Sequence, residues 1–276
     1  MTRPSVFITG CSSGIGLATA QLFREHGWTV YAGVRQTKDQ EHLRTLGCVP
    51  IFCDLNDNAS IDNAAEAVLK QSQHQCLTLI HNAGYAQPGA IEDITTDAMR
   101  QQFQTNFFGA HRLTRAFLPH MREANRGRII FVSSVLGIVS LPFRGAYNAS
   151  KHALEAMASA LRQELYQTKI NISVIQTGPI VSAFRKNAYD AYFAMPNDRP
   201  SPHEDHYRKW QDERKNNRPI LFSGSAEQAA KTCWHAAAAP RPRLYYRVTL
   251  AAYLLPLLHN CLPSRWFDVL ARFGKF

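Results

Sequence analysis

SVFITGCSSGIG, running from Ser5 to Gly16, is the stretch whose reading decides the fold. Its first five residues form a short β-branched and aromatic run, the pattern of a buried strand. Glycines at 10, 14 and 16 follow at once, and a helical pattern opens from Ile15. Glycine permits the tight turn and lets backbone N–H groups approach a pyrophosphate at a helix N-terminus. A glycine triplet alone is weak evidence, but strand before and helix after is the context that dinucleotide binding requires.

Working outward, the same alternation continues. Strands are expected at Ser5–Thr9, Thr29–Val34, Val49–Cys53, Leu77–His81, Arg128–Ser133 and Asn171–Gln176, with helices over Ile15–His26, Ser60–Ser72, Asp97–Met121 and Tyr147–Thr168. Parallel strands need crossover helices, so the expected architecture is α/β: a doubly wound, Rossmann-type parallel sheet in three layers. The whole chain, 1–276, is expected to form one domain, with a cofactor and catalytic core over 5–180. From 182 to 225 the alternation breaks into four prolines and the aromatics Phe184, Tyr189, Tyr192, Phe193, Tyr207 and Trp210. An insertion of this length reads as a lid over an apolar ligand.

Composition bounds the function. With 45% hydrophobic and 19% charged residues among 276, the chain is globular rather than disordered. Its six cysteines, at 11, 48, 53, 76, 233 and 261, include no CxxC pair, which favours reduced thiols over disulfides or a metal site. A strand starting at Ser5 leaves no room for a cleaved leader, and no apolar run reaches membrane-spanning length. A cytoplasmic protein is expected, with contact at the inner face of a membrane as an option.

The net charge of +10 is concentrated in the extension 241–276, where Arg241, Arg243, Arg247, Arg265, Arg272 and Lys275 face Asp268 alone. Apolar residues interleave these bases, and no nucleic-acid motif accompanies them, so no nucleic-acid partner is expected. Two readings of 248–273 stay open: an amphipathic basic segment at an anionic membrane, or a segment packed on the domain or a second subunit.

At the end of the second strand a carboxylate would bind the ribose 2′-OH of NAD, whereas a base receives the 2′-phosphate of NADP. The chain has VYAGVR, ending in Arg35 with no acid, and Ser13 offers a hydroxyl to the same phosphate. NADP(H) is the expected cofactor. YNASK, Tyr147 to Lys151, places a phenol and an ammonium on one helix face. The nearby cation is expected to lower the Tyr147 pKa from about 10 and make it a usable acid–base group.

Taken together, TGCSSGIG, Asn82-Ala83-Gly84, Asn106, Ser134 thirteen residues before Tyr147, and YNASK resemble the short-chain dehydrogenase/reductase (SDR) family across residues 5 to about 180. The resemblance implies that Tyr147 is the proton donor, Lys151 holds the nicotinamide ribose and Ser134 polarises the substrate oxygen. Asn106 would support a water linking Lys151 to solvent. Cofactor contacts are implied at Gly10, Ser12, Ser13, Gly14, Ile15, Gly16, Arg35, Asp54, Leu55, Asn82, Ala83, Gly84, Pro179 and Ile180, besides Tyr147 and Lys151. For Asp54, which the resemblance sets against the adenine, a simple strand-end cap is the alternative. His81 departs from the common family pattern and reads as a packed core histidine, and Gly178-Pro179 reverses the usual order. The reversal and VYAGVR look like the 17β-hydroxysteroid and retinol dehydrogenase branch, and YYRVTL like bacterial NADPH-dependent aldehyde reductases. These features imply reduction of a lipophilic aldehyde or ketone by a homodimer pairing through Asp97–Met121 and Tyr147–Thr168. The other class weighed, a non-catalytic NADP-binding redox sensor, would call for loss of Tyr147, Lys151 or Ser134.

Overall fold

The computed structural model describes residues 3–196, 200–216 and 223–273. The parts of the expected lid at 197–199 and 217–222, and Lys275 of the tail, lie outside the described residues.

Seven parallel strands form one sheet in the order β3-β2-β1-β4-β5-β6-β7. They are β1 (Ser5–Thr9), β2 (Thr29–Val34), β3 (Val49–Phe52), β4 (Thr78–His81), β5 (Gly127–Ser134), β6 (Ile170–Thr177) and β7 (Tyr245–Arg247). The crossovers are α1 (Gly14–Glu25), α2 (Lys38–Thr45), α3 (Asn58–Gln71), α4 and α5 (Thr96–Phe103 and Gly109–Glu123) and α6 (Gly145–Glu164). After β6 come α7 (Phe184–Ala194), α8 (Glu204–Asn216) and α9 (Ala226–Ala238); α10 (Leu250–Cys261) and α11 (Ser264–Phe273) follow β7.

Successive strand residues point to opposite faces, and the core divides accordingly. Phe7, Leu79, Ile129 and Phe131 meet Val68, Phe117 and Leu154 of α3, α5 and α6. Val6, Ile8, Ile80, Ile130 and Val132 meet Phe23, Leu43 and Cys233 of α1, α2 and α9. Strands covered on both faces are apolar throughout, which is why β1 reads as a continuous run.

The expected strands and helices are present with small shifts at their ends. Asp57 caps α3 through the Ala59 N–H, so that helix starts two residues before Ser60. Thr95 caps α4 in the same way through Ala98. Among the described elements, α2, the lid helices α7 and α8, α9 and β7 escape the sequence reading. The last is only three residues long and becomes a strand by pairing with Val174–Gln176. Its Tyr246 hydroxyl accepts from the Arg243 N–H and bonds His235 Nδ1, each at 2.9 Å. Residues Tyr245–Arg247, read as the start of a tail, therefore belong to the sheet.

Candidate active site

The strand order reverses between β1 and β4, which opens a crevice at their carboxyl ends. Thr9 and Asn82 fasten its two sides together. The Asn82 side-chain amide donates to the Thr9 and Gly10 carbonyls at 2.9 and 3.0 Å, and Thr9 Oγ1 accepts from the Asn82 and Ala83 N–H groups. A Cβ on Gly10 would lie 2.8 Å from the Ala83 Cα, and one on Gly16 would overlap the Gly10 carbonyl. Gly10 and Gly14 also hold φ of +73° and +57°, where other residues are strained. Ser13 is the N-cap residue of α1, yet its hydroxyl makes no capping bond. With Ser12 it is exposed at the uncapped end of a helix whose dipole favours an anion.

Arg35 is exposed directly after β2. Its charge reaches the Tyr85 phenol, where it opposes the burial that pushes that phenol up to about 12. The Tyr85 hydroxyl is buried without a partner among the described residues. The uncapped helix start, the clearance of the glycine loop and an orphaned hydroxyl near a guanidinium fit a dinucleotide lying across the crevice. Beyond β3, Asp54 Oδ1 accepts from the Asn56 N–H at 3.0 Å, the geometry of a strand-end cap. Leu55 is buried, and its carbonyl takes the Gln104 amide.

The catalytic residues implied by the resemblance converge from three elements. Ser134 ends β5, and its Oγ accepts from the Leu136 N–H at 3.1 Å. Tyr147 and Lys151 lie one turn apart on α6, both buried, with Lys151 Nζ 5.8 Å from the phenol ring centre. Asn106 sits in a π turn, Gln104–Phe108, that interrupts what reads as one helix over Asp97–Met121. π turns recur at functional sites. This one lets Asn106 Oδ1 accept from the Tyr85 N–H (3.1 Å) while Nδ2 donates to the Tyr85 carbonyl (3.0 Å) and Ser150 Oγ (3.1 Å). Gly84 lies against this amide, since a Cβ there would stand 3.0 Å from Asn106 Oδ1 and 3.8 Å from Lys151 Nζ.

One expectation is corrected. Lys151 does not bring the Tyr147 pKa down: burial pushes the phenol up to about 12, with the Ser134 hydroxyl and Arg144 pulling against it. Desolvation outweighs the cation because Lys151 Nζ donates instead to the Val132 carbonyl at 2.8 Å. Burial pushes the ammonium of Lys151 itself down to about 8, opposed by Glu155. Glu155 is a site residue that the sequence reading missed. It stands one turn beyond Lys151, and Gln176 Nε2 donates to both its oxygens at 3.3 Å. Its i+4 spacing from Lys151 is the signal that would have found it.

Pro179 and Ile180 lead into the lid segment. The Gly224 N–H donates to the Pro179 carbonyl (2.9 Å) and the Val181 N–H to the Gly224 carbonyl (3.0 Å), so the excursion is closed at its base. A Cβ on Gly14 would stand 3.4 Å from Ser182 Cβ, which sets the lid's first residue over the glycine loop. Most of the lid aromatics pack elsewhere than at Tyr147. Phe143 stacks on His206 at 3.8 Å, Tyr192 packs on Tyr207 and Trp210, and the Tyr207 hydroxyl donates to Asp93 at 2.5 Å. Phe184 is the lid ring that meets Tyr147, edge-on at 5.7 Å. An apolar cluster of Val135, Leu136, Val139, Ala251, Leu255 and Phe267 packs with Tyr147 and draws on α10 and α11. His81 is a core residue as expected: Nε2 meets Thr114 Oγ1 at 2.9 Å, and burial keeps the ring neutral, its pKa pushed down to about 3.

The crevice, the glycine loop and the Ser–Tyr–Lys set make sense of what the chain resembles. The family described as short chain dehydrogenase matches residues 4–192, and the protein belongs to that family, whose members are NAD(P)-dependent oxidoreductases. The "Uncharacterized oxidoreductase YbbO" of Escherichia coli K12 is 37% identical over 96% of this chain and 93% of its own length. Human 17-beta-hydroxysteroid dehydrogenase type 1 is 33% identical over 94% of this chain and 80% of its own. A Streptomyces avermitilis short-chain dehydrogenase structure superposes with a TM-score of 0.80 at 26% identity, covering 100% of this chain and 97% of that one. Two Burkholderia structures share the fold at 22% identity. The B. phymatum protein is in complex with NAD (TM-score 0.78, 99% of this chain, 96% of that one), and the B. cenocepacia protein with NADP (0.74, 99% and 98%).

Proposed function

We propose that the protein reduces a lipophilic aldehyde or ketone to the alcohol, reversibly, with NADPH as the hydride source. The observation that carries this reading is the position of the buried Tyr147 phenol: beside Ser134 and Lys151 on one side, and within an apolar cluster on the other. A bound NADPH would supply the hydride for the carbonyl carbon. Ser134 orients and polarises the carbonyl oxygen, and Tyr147 gives that oxygen its proton. A phenol pushed up to about 12 stays protonated at neutral pH, ready to donate. Lys151, whose Nζ is anchored on the Val132 carbonyl, would hold the nicotinamide ribose. Asn106, fixed by Tyr85 and Ser150, steadies the path by which that proton is replaced.

NADP over NAD rests on Arg35 and the missing acid after β2. The carbonyl specificity rests on the apolar surroundings of Tyr147 and on the branch resemblance. A steroid or retinoid substrate is a second reading, favoured by the likeness to the human steroid dehydrogenase over nearly the whole chain. The family resemblance also carries the proposal of a homodimer through the helices from α4 to α6, which the mass in solution tests.

The test is loss of NADPH absorbance when purified protein is offered a long-chain aldehyde, a retinoid aldehyde and a 17-ketosteroid in parallel, with NADH as control. Turnover of the long-chain aldehyde with NADPH supports the first reading, and turnover of the retinoid aldehyde or the steroid without it supports the second. Turnover of none, with NADPH bound, overturns both substrate assignments.

A further inference from the structure

Helices α10 and α11 have inner faces that the fold explains and outer faces that it does not. Inward, Ala251, Ala252, Leu255 and Phe267 pack in the cluster that contains Tyr147. Outward, α10 presents Leu250, Tyr253, Leu254 and Leu257, at spacings i, i+3, i+4 and i+7, with exposures of 51%, 51%, 39% and 57%. This is one continuous apolar stripe on the solvent side, where a surface helix ordinarily carries polar residues. The next helix repeats the anomaly, with Trp266 and Val269 exposed to 68% and 50%. Contiguous exposed apolar surface of this kind marks an interaction site.

The charges select the partner. Arg247 lies exposed before α10, its guanidinium 5.5 Å from the Tyr253 ring centre, and Arg265 and Arg272 are exposed on α11 against the single acid Asp268. A second copy of this chain would bring the same cations against these, with like-charge repulsion. A nucleic acid would match the charge and leave the leucine stripe without a partner. An anionic bilayer surface satisfies both parts at once: the apolar face enters the headgroup region, Trp266 sits at the interface, and the arginines meet lipid phosphates. Among the described residues no helix is long and apolar enough to cross a membrane, so the contact is in the interfacial plane.

We propose that the outer faces of α10 and α11 form a docking surface for anionic lipid bilayers. The surface lies on the outer side of the helices whose inner side packs with Tyr147. The proposal does not depend on the identity of the substrate, since binding is read without turnover.

The experiment is co-sedimentation of the full chain with vesicles of phosphatidylcholine alone and of phosphatidylcholine mixed with phosphatidylglycerol. The expected result is binding to the mixed vesicles, at least tenfold weaker on phosphatidylcholine, and weakening as salt screens the arginines. Leu254→Glu/Leu257→Glu and Arg265→Glu/Arg272→Glu should each reduce binding at least tenfold. Unchanged thermal unfolding and NADPH affinity in both variants show that the fold is intact. No binding to mixed vesicles at low salt overturns the proposal, as does equal binding to both compositions. A fall in oligomeric mass in the leucine variant, without loss of vesicle binding, would assign the stripe to a contact between copies and overturn it equally.

Discussion

The longer part of the chain, before Ile180, and the shorter part after it hold their functional surfaces by different means. In the first, four candidate groups are fixed by short polar contacts. Asn82 is fixed to the glycine loop, Asn106 to Tyr85, Ser134 to Leu136 and Lys151 to Val132. In the second, α7 and α8 are held largely by ring against ring, and α10 and α11 by aliphatic packing around Val135–Val139. Hydrogen bonds fix position to tenths of an ångström, which hydride and proton transfer demand. Apolar packing accepts exchanges of similar volume. The difference teaches where change is tolerated: under the proposed function, reaction type belongs to the first part, and substrate choice and membrane docking to the second.

The largest expected effect lies in the first part. Tyr147→Phe removes the only atom proposed to give the proton and should lower kcat by about a thousandfold or more, with NADPH affinity within twofold. Steady-state kinetics alongside cofactor titration check both. Normal turnover would break the comparison at its strongest point. Arg35→Asp follows, and should move the ratio of kcat/KM for NADPH over NADH toward NADH by about ten- to a hundredfold, the worth of one charge-assisted bond to a phosphate. An unchanged ratio would remove Arg35 from the 2′-phosphate.

The next effect is in pH. Tyr147, pushed up to about 12, stays protonated well past neutrality, whereas Lys151, pushed down to about 8, loses its charge first. Carbonyl reduction should therefore decline on the alkaline side as Lys151 deprotonates. The negative charge of Glu155 favours the ammonium, so Glu155→Gln should move that decline to lower pH with little change in the plateau. A pH profile of kcat/KM reads this directly, and an unmoved limb would detach Glu155 from Lys151. The smallest effect belongs to the second part. Phe184→Ala, which removes the ring facing Tyr147, should raise KM for a long-chain aldehyde a few-fold and leave NADPH binding alone, since an aromatic pair is worth about 0.5–1.5 kcal/mol.

The same division governs what was legible in the sequence. Local signals suffice for the glycine turn and the strands it joins, and fixed spacings suffice for Ser134, Tyr147 and Lys151, so the first part could be read closely. The π turn at Gln104–Phe108 could not, because Asn106 is drawn into it by partners 21 and 44 residues away. Nor could β7, a strand only because β6 lies beside it. The direction of the Tyr147 shift was misread for a related reason: the i+4 ammonium is visible in the sequence, but the burial that outweighs it is a property of the assembled fold. The aromatic lid was recognised as a composition, while its packing on Phe143 and Asp93 was not.

The most direct test of the central claim is NADPH consumption by the wild-type protein with decanal, run beside an identical reaction with NADH. The expected result is decanal-dependent turnover with kcat/KM favouring NADPH by at least about tenfold, the preference proposed from the arginine after β2. No decanal-dependent oxidation of either cofactor, or equal use of both, would contradict it.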